Sequence, residues 1–187
     1  EYSWVDTVNE YGGITRTERD YDGDGDSDFS SISTYNNFGQ ITYFAKDNDG
    51  DSEPDYIEHK SYDNLGRLIN EEYDRDGNGL SDDIQSFDYD EEGHLLRYEL
   101  DRNGDGKPDQ IEIWVKDSNG NTTQSTTDED GDGAPERVVF YQDTSDARGL
   151  TTLISEDSNA DGSLDAIWIE VFDIKGNIFI IFTINGQ

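Results

Sequence analysis

Asp20-Tyr21-Asp22-Gly23-Asp24-Gly25-Asp26-Ser27-Asp28 is the stretch on which the fold turns, because it comes back five more times along the chain. It recurs as DNDGDSEPD from Asp47, DRDGNGLSD from Asp74, DRNGDGKPD from Asp101, DEDGDGAPE from Asp128 and DSNADGSLD from Asp157. Self-similarity at a fixed period marks a repeat architecture. Successive starts lie 27, 27, 27, 27 and 29 residues apart. A second landmark, a glycine eight residues before each start, falls at Gly12, Gly39, Gly66, Gly93, Gly120 and Gly149, and the series continues to Gly176. The two extra residues of the last interval therefore lie between Glu136 and Gly149.

Between the landmarks the chain reads as strand. Segments such as DYIEHKSYD, DDIQSFDYD, DQIEIWVKD and DAIWIEVFD follow the acidic loops, and RLINEEYD, HLLRYELD and NIFIIFTI follow the glycines. They carry β-branched and aromatic residues bounded by Asn, Asp and Gly, the signature of strands and hairpins. The turns NNFG, DNLG, EEGH and SNGN are short enough to force antiparallel neighbours. Seven turns and six loops predict an all-β, antiparallel up-and-down meander of about 14 strands built from 27-residue hairpin repeats. The expected object is a single array over residues 1–187, a twisted or coiled sheet with its acidic loops at 20–28, 47–55, 74–82, 101–109, 128–136 and 157–165 along one edge. One column is apolar in nearly every repeat, at Ile57, Ile84, Ile111, Val138 and Ile167. A second follows the turn at Ile14, Ile41, Leu68, Leu95 and Ile178, so a thin stripe of core is expected.

Composition sharpens this picture. Asp+Glu 45 against Lys+Arg 13 gives a formal net charge of −32, with 31% of residues hydrophobic. Nucleic acid and anionic membrane surfaces repel such a chain, so neither is an expected partner. Low hydrophobicity with charge of one sign is also the signature of disorder. Aromatic residues at 12% argue the other way, and something other than a large core must hold the chain together. With Cys 0, disulfides and thiolate metal sites are out. With Met 0 and Glu1 in first place, the chain is expected to be part of a longer precursor. The longest apolar run, Ile178–Phe182, falls far short of the roughly 20 residues that a membrane helix needs. A membrane barrel is rejected for want of a continuous lipid-facing apolar column.

The loop pattern D-x-[DN]-x-[DN]-x-x-x-[DE] has the spacing of a calcium loop. Ca²⁺ takes 6 to 8 oxygens at about 2.3–2.6 Å, and side chains at positions 1, 3 and 5 of a tight loop converge while position 7 offers a backbone carbonyl. The ligand sets are Asp20, Asp22, Asp24, the carbonyl of Asp26, and Asp28; then Asp47, Asp49, Asp51, the carbonyl of Glu53, and Asp55. They continue as Asp74, Asp76, Asn78, the carbonyl of Leu80, and Asp82; then Asp101, Asn103, Asp105, the carbonyl of Lys107, and Asp109. The last two are Asp128, Asp130, Asp132, the carbonyl of Ala134, and Glu136; and Asp157, Asn159, Asp161, the carbonyl of Ser163, and Asp165. A plain acidic turn explains Asp and Gly at the early positions but is expected to have no use for the ninth-position carboxylate. About six structural Ca²⁺ ions are therefore expected, with folding coupled to their binding.

These loops resemble those of EF-hands, dockerins, thrombospondin type 3 repeats and FG-GAP/VCBS repeats. The EF-hand fold itself is excluded, since position 12 reads Ser31, Glu58, Gln85, Glu112, Val139 and Trp168 where a bidentate Glu belongs. YDNLGRL at Tyr62–Leu68, echoed by YDEEGHL and FDIKGNI, resembles the YD repeat of Rhs-type shells and teneurins, which are long hairpin arrays. Both resemblances imply an extracellular or cell-surface, repetitive, non-enzymatic setting.

His59 and His94 stand on separate strands without a companion nucleophile pattern, so no catalytic residue is expected. Asn121-Thr122-Thr123 is an N-glycosylation sequon on a turn, which makes Asn121 a candidate glycan site. Ile167–Phe172 and Ile178–Ile184 are apolar on both faces, so the C-terminal hairpin is expected to meet a neighbouring domain or a second copy. Tyr2, Trp4 and Val8 would be the complementary end. The resulting expectation is a calcium-stabilised structural or adhesive module, a filament subunit through its terminal strands. The alternative is a carbohydrate-binding module of a larger secreted protein, using exposed strand aromatics such as Tyr43, Tyr98, Trp114, Tyr141 and Trp168.

Overall fold

A computed structural model describes residues 2–146, 149–173 and 178–185. The described residues form β1 (Ser3–Val8), β2 (Ile14–Asp20), β3 (Phe29–Tyr35), β4 (Ile41–Asp47), β5 (Tyr56–Tyr62), β6 (Leu68–Asp74) and β7 (Asp83–Tyr89). They continue as β8 (Leu95–Asp101), β9 (Gln110–Lys116), β10 (Thr122–Asp128), β11 (Arg137–Asp146), β12 (Gly149–Asp157), β13 (Ala166–Asp173) and β14 (Ile178–Asn185), with no helix among them. The order of strands in the sheet is the order of the chain, an up-and-down antiparallel meander as the repeat predicts. Contacts divide the chain into two compact units, Glu1–Phe87 with Leu100–Lys107, and Asp88–Glu99 with Pro108–Gln187.

The five hairpins that turn at Gly12, Gly39, Gly66, Gly93 and Gly120 close by one device. Gly39 N donates to Asn36 O (3.0 Å) and Asn36 N to Gln40 O (2.9 Å), with Gly39 left-handed at φ 76°. This is a type I turn completed by a left-handed residue, for which glycine has no steric cost. The Asn36 side chain caps it, its Oδ1 accepting from Phe38 N (2.9 Å) and Gln40 N (3.0 Å). Asn9, Asp63 and Asp117 repeat that cap, and Asp90 accepts from His94 N. One residue of the returning strand is then passed over in the register, Thr15, Thr42, Ile69 and Thr123 in turn. Such a bulge raises the local twist, and nothing in the sequence pattern announces it.

Between the hairpins of the first unit the ladder is shorter, four pairs from Arg16↔Ile32 to Arg19↔Phe29 and four from Tyr43↔His59 to Lys46↔Tyr56. Strand carbonyls beyond its end need other donors. The tyrosine before the turn supplies one: Tyr35 Oη donates to Ile14 O (2.7 Å) and Tyr62 Oη to Ile41 O (2.9 Å), each reaching back 21 residues. In the YD pair, then, the tyrosine ties a hairpin to its predecessor and the aspartate caps the turn. The two extra residues near Gly149 have a different effect. They lengthen the β11–β12 ladder to an unbroken run from Val138↔Asp157 to Asp146↔Gly149, so Gly149 opens a strand where the period predicts a turn.

The core is thinner than the apolar columns suggest. Among the described residues only Ala45 and Val139 are both apolar and buried. Ile57, Ile84, Ile111, Val138 and Ile167 are half-buried, as are Ile41, Leu68 and Leu95, while Ile14 is exposed. The side chain of Ile178 lies outside the described residues. Polar and aromatic side chains cover much of the first unit instead. Phe44, Tyr56 and Tyr73 form a file of rings 6.2 and 6.4 Å apart, with Lys46 over Tyr56 and Arg75 over Tyr73. Lys60 bridges Glu58 (2.5 Å) and Glu71 (2.7 Å) on the same face, and Glu71 is itself buried. The most regularly buried column is the first aspartate of every loop: Asp20, Asp47, Asp74, Asp101, Asp128 and Asp157 are only 5–7% exposed.

Candidate metal sites

Each loop is strung on its buried first aspartate. Asp20 Oδ1 accepts from Gly23 N (2.5 Å) and Oδ2 from Gly25 N (3.2 Å). Asp128 does the same with Gly131 N (2.6 Å) and Gly133 N (2.8 Å), and Asp101 with Gly104 N (2.7 Å) and Gly106 N (2.8 Å). Asp47 holds Gly50 and Ser52, Asp74 holds Asn78 and Gly79, and Asp157 holds Asp161 and Gly162. Positions 3 and 5 then brace the residue two further on, as Asp22 accepts from Asp24 N (3.0 Å) and Asp24 from Asp26 N (2.9 Å). Asn103, Asp105, Asp130, Asp132, Asn159 and Asp161 repeat the pattern.

The ninth position corrects an expectation. Asp28 Oδ2 accepts from Tyr21 N (2.6 Å), Asp55 from Asn48 N (2.6 Å), Asp82 from Arg75 N (2.7 Å), Glu136 from Glu129 N (2.6 Å) and Asp165 from Ser158 N (2.8 Å). This carboxylate latches the two ends of the loop together, so it has a use even in a plain turn.

The same folding of the loop gathers its carboxylates. Among the described residues, Asp20, Asp22 and Asp28; Asp47, Asp49 and Asp55; and Asp74, Asp76 and Asp82 each bring ligand atoms within 4.8 Å of one another. Asp128, Asp130, Asp132 and Glu136 form a four-carboxylate group of the same kind. The fifth-position Asp24 and Asp51 fall outside those groups, whereas Asp132 falls inside. Several Asp-rich clusters can therefore hold a metal ion, and the oxygen-only donor set suits a hard cation. Burial works to raise the Asp101 carboxyl, but the N–H groups of Asn103, Gly106, Gly104 and Asp105 outweigh it and hold it below the usual range. Asp165 is lowered by the hydroxyl and the N–H of Ser158. Hydrogen bonds to the charged form favour it, so these groups stand ready as anionic ligands.

Other candidates fall elsewhere. His94 Nδ1 lies 2.8 Å from Asp90 Oδ2 at a turn, and His59 packs its ring 5.0 Å from that of Tyr43. Tyr43, Tyr98, Trp114, Tyr141 and Trp168 are half-buried, not exposed as the sugar-stacking alternative expects. Among the described residues the exposed aromatics are Tyr2, Trp4, Tyr11, Tyr21, Phe38 and Phe140. Asn121 is exposed on its turn, its Nδ2 donating to Asp117 Oδ2 (3.1 Å). For the C-terminal hairpin, the β13–β14 pairing is described, but the side chains from Val171 onward lie outside the described residues.

No protein-family model matches this chain, and no curated protein does. Among solved structures, TcdB2-TccC3 without its hypervariable C-terminal region overlays with a TM-score of 0.30 at 13% identity, over 96% of this chain and 11% of that one. The Photorhabdus luminescens Tc holotoxin pore overlays with a TM-score of 0.30 at 13% identity, over 99% of this chain and 12% of that one. Overlays at this score carry no argument about what the present chain does.

Proposed function

We propose that this chain is an extracellular, calcium-stabilised structural or adhesive repeat module that takes up about one ion per loop, six in all, and has no enzymatic role. The observation that carries the reading is the contrast in burial. Two apolar side chains are buried among the described residues, against six loop aspartates. Three or four carboxylates brought within 4.8 Å repel one another, and a dication turns that repulsion into attraction. Loops of this kind in extracellular modules bind at about 10⁻⁴ to 10⁻³ M, a range met outside cells. The terminal strands give the module its route to neighbours: β1 is exposed along its whole length, and an unpaired edge templates a further strand. A filament of such modules, or a stalk, is the assembly that follows.

Circular dichroism of the whole chain before and after exhaustive chelation tests the proposal. Strand signal should collapse in EDTA and return with excess Ca²⁺. Strand content unchanged by chelation would overturn the reading.

A further inference from the structure

Consecutive loops touch. A Cβ built on Gly50 would stand 2.2 Å from Ser27 O, on Gly77 1.6 Å from Pro54 O, on Gly104 1.6 Å from Ser81 O, and on Gly131 1.7 Å from Pro108 O. Each glycine is the fourth residue of its loop, and each carbonyl belongs to the eighth residue of the loop before. The same relation thus recurs at four junctions. Position 6 is the natural contrast, since Gly25, Gly79, Gly106 and Gly133 are also left-handed but have nothing within 4 Å of an added Cβ. Ser52, at φ 76°, already occupies that position in the second loop. Glycine at position 6 answers to backbone conformation alone, whereas at position 4 the neighbouring loop also forbids a side chain.

The contact joins ligand-bearing peptides. The eighth-residue carbonyl lies in the peptide that leads into the ninth-position ligand, and the fourth-residue glycine lies between ligands 3 and 5. All three prolines of the chain, Pro54, Pro108 and Pro135, occupy position 8, where a fixed φ stiffens the carbonyl. An ion that fixes ligand 9 of one loop therefore fixes the surface against which the next loop closes. The entropy of ordering is shared, and the second ion binds a site already partly ordered. Repulsion between neighbouring ions is countered at each site, because even the smaller ligand sets, such as Asp74, Asp76 and Asp82, hold one carboxylate more than the two charges of the ion.

Resting on the metal-binding reading above, we infer that neighbouring loops take up divalent cations cooperatively, through contact between the eighth-residue carbonyl of one loop and the fourth-residue glycine of the next. The test is a Ca²⁺ titration of the full chain, with bound ion followed by equilibrium dialysis and order by circular dichroism. Two single variants in one loop accompany it: Gly77→Ala, at the junction, and Gly79→Ala, which is also left-handed but has open space around an added Cβ. The wild type should bind with a Hill coefficient clearly above 1. Gly77→Ala should bring that coefficient down towards 1 and weaken more than one site, by roughly tenfold. Gly79→Ala should weaken one site and leave the coefficient high. Several ions bound with a wild-type Hill coefficient of 1, or equal behaviour of the two variants, would overturn the coupling and leave the metal-binding reading standing. Failure of the wild type to bind Ca²⁺ would overturn both. Should Gly77→Ala not fold, the wild-type coefficient still decides the matter.

Discussion

Removing the carboxylate of Asp74 separates the two jobs of a loop aspartate, holding the loop and holding an ion. Asp74 is 6% exposed, and its oxygens accept from Gly79 N at 2.7 Å and Asn78 N at 3.2 Å. Asp76, the neighbouring ligand, is exposed and accepts from Asn78 N alone, at 3.3 Å. Asp74→Ala therefore removes one ligand and two charged hydrogen bonds, whereas Asp76→Ala removes one ligand and a long bond. Hydrogen bonds to a charged acceptor contribute about 1.5–3 kcal/mol each, and the lower end applies here because exposed N–H groups regain water. The two Asn78 bonds come from one N–H and nearly cancel, so Asp74→Ala should be less stable than Asp76→Ala by about 1.5 kcal/mol, the bond from Gly79 N. That is a large part of the roughly 5–15 kcal/mol typical of a whole domain. Urea unfolding at saturating Ca²⁺, followed by circular dichroism, gives the two midpoints under one set of conditions. Equal midpoints, or a lower one for Asp76→Ala, would refute the claim that the buried first aspartate organises the loop.

Ala160 sits at position 4 of the last loop with φ 50°, where four of the other loops have a glycine packed against their predecessor. Ala160→Gly should raise stability by about 1 kcal/mol through relief of a left-handed non-glycine backbone, and thermal melts at fixed Ca²⁺ will read it as a higher midpoint. Tyr62→Phe removes the hydroxyl that donates to Ile41 O at 2.9 Å and should cost about 1 kcal/mol in urea while the number of ions bound stays the same. Asp63 is held below the usual carboxyl range by the N–H of Arg67 first, against burial, which works to raise it, with the Arg67 side chain and Leu65 N adding to the lowering. A depressed folded-state value stabilises above the unfolded value and is lost as pH falls through the folded one. The advantage of wild type over Asp63→Asn should therefore be flat from about pH 7 to pH 5 and shrink below about pH 4, as urea midpoints of both proteins across that range will register.

Much of this molecule is legible in one dimension because the repeat restates each decision. Strand, turn and loop follow from residue types that act locally: Gly39 where a left-handed residue closes a turn, Asn36 or Asp63 where a cap is needed, alternate oxygens where a loop curls. The phase of the repeat carries the strand order as well, since turns this short leave only the neighbouring place in the sheet. The aromatic residues are less legible. Tyr43 and Trp114 look like exposed platforms in sequence, yet cross-strand neighbours half-bury them, and alternation cannot say how tall those neighbours stand. The ninth carboxylate reads as a ligand alone until its bond to the second-position N–H is seen.

The amino-acid sequence by itself determined the all-β meander, the six loops and the oxygen donors within them, because each depends on contacts a few residues apart. Tertiary structure alone decided what is buried, namely the first aspartate of each loop in place of the isoleucine columns. It also decided that the tyrosine before a turn reaches back 21 residues, and that the fourth-position glycine answers to the loop before its own. Those features join neighbouring repeats, and a repeat read singly holds only half of every such contact.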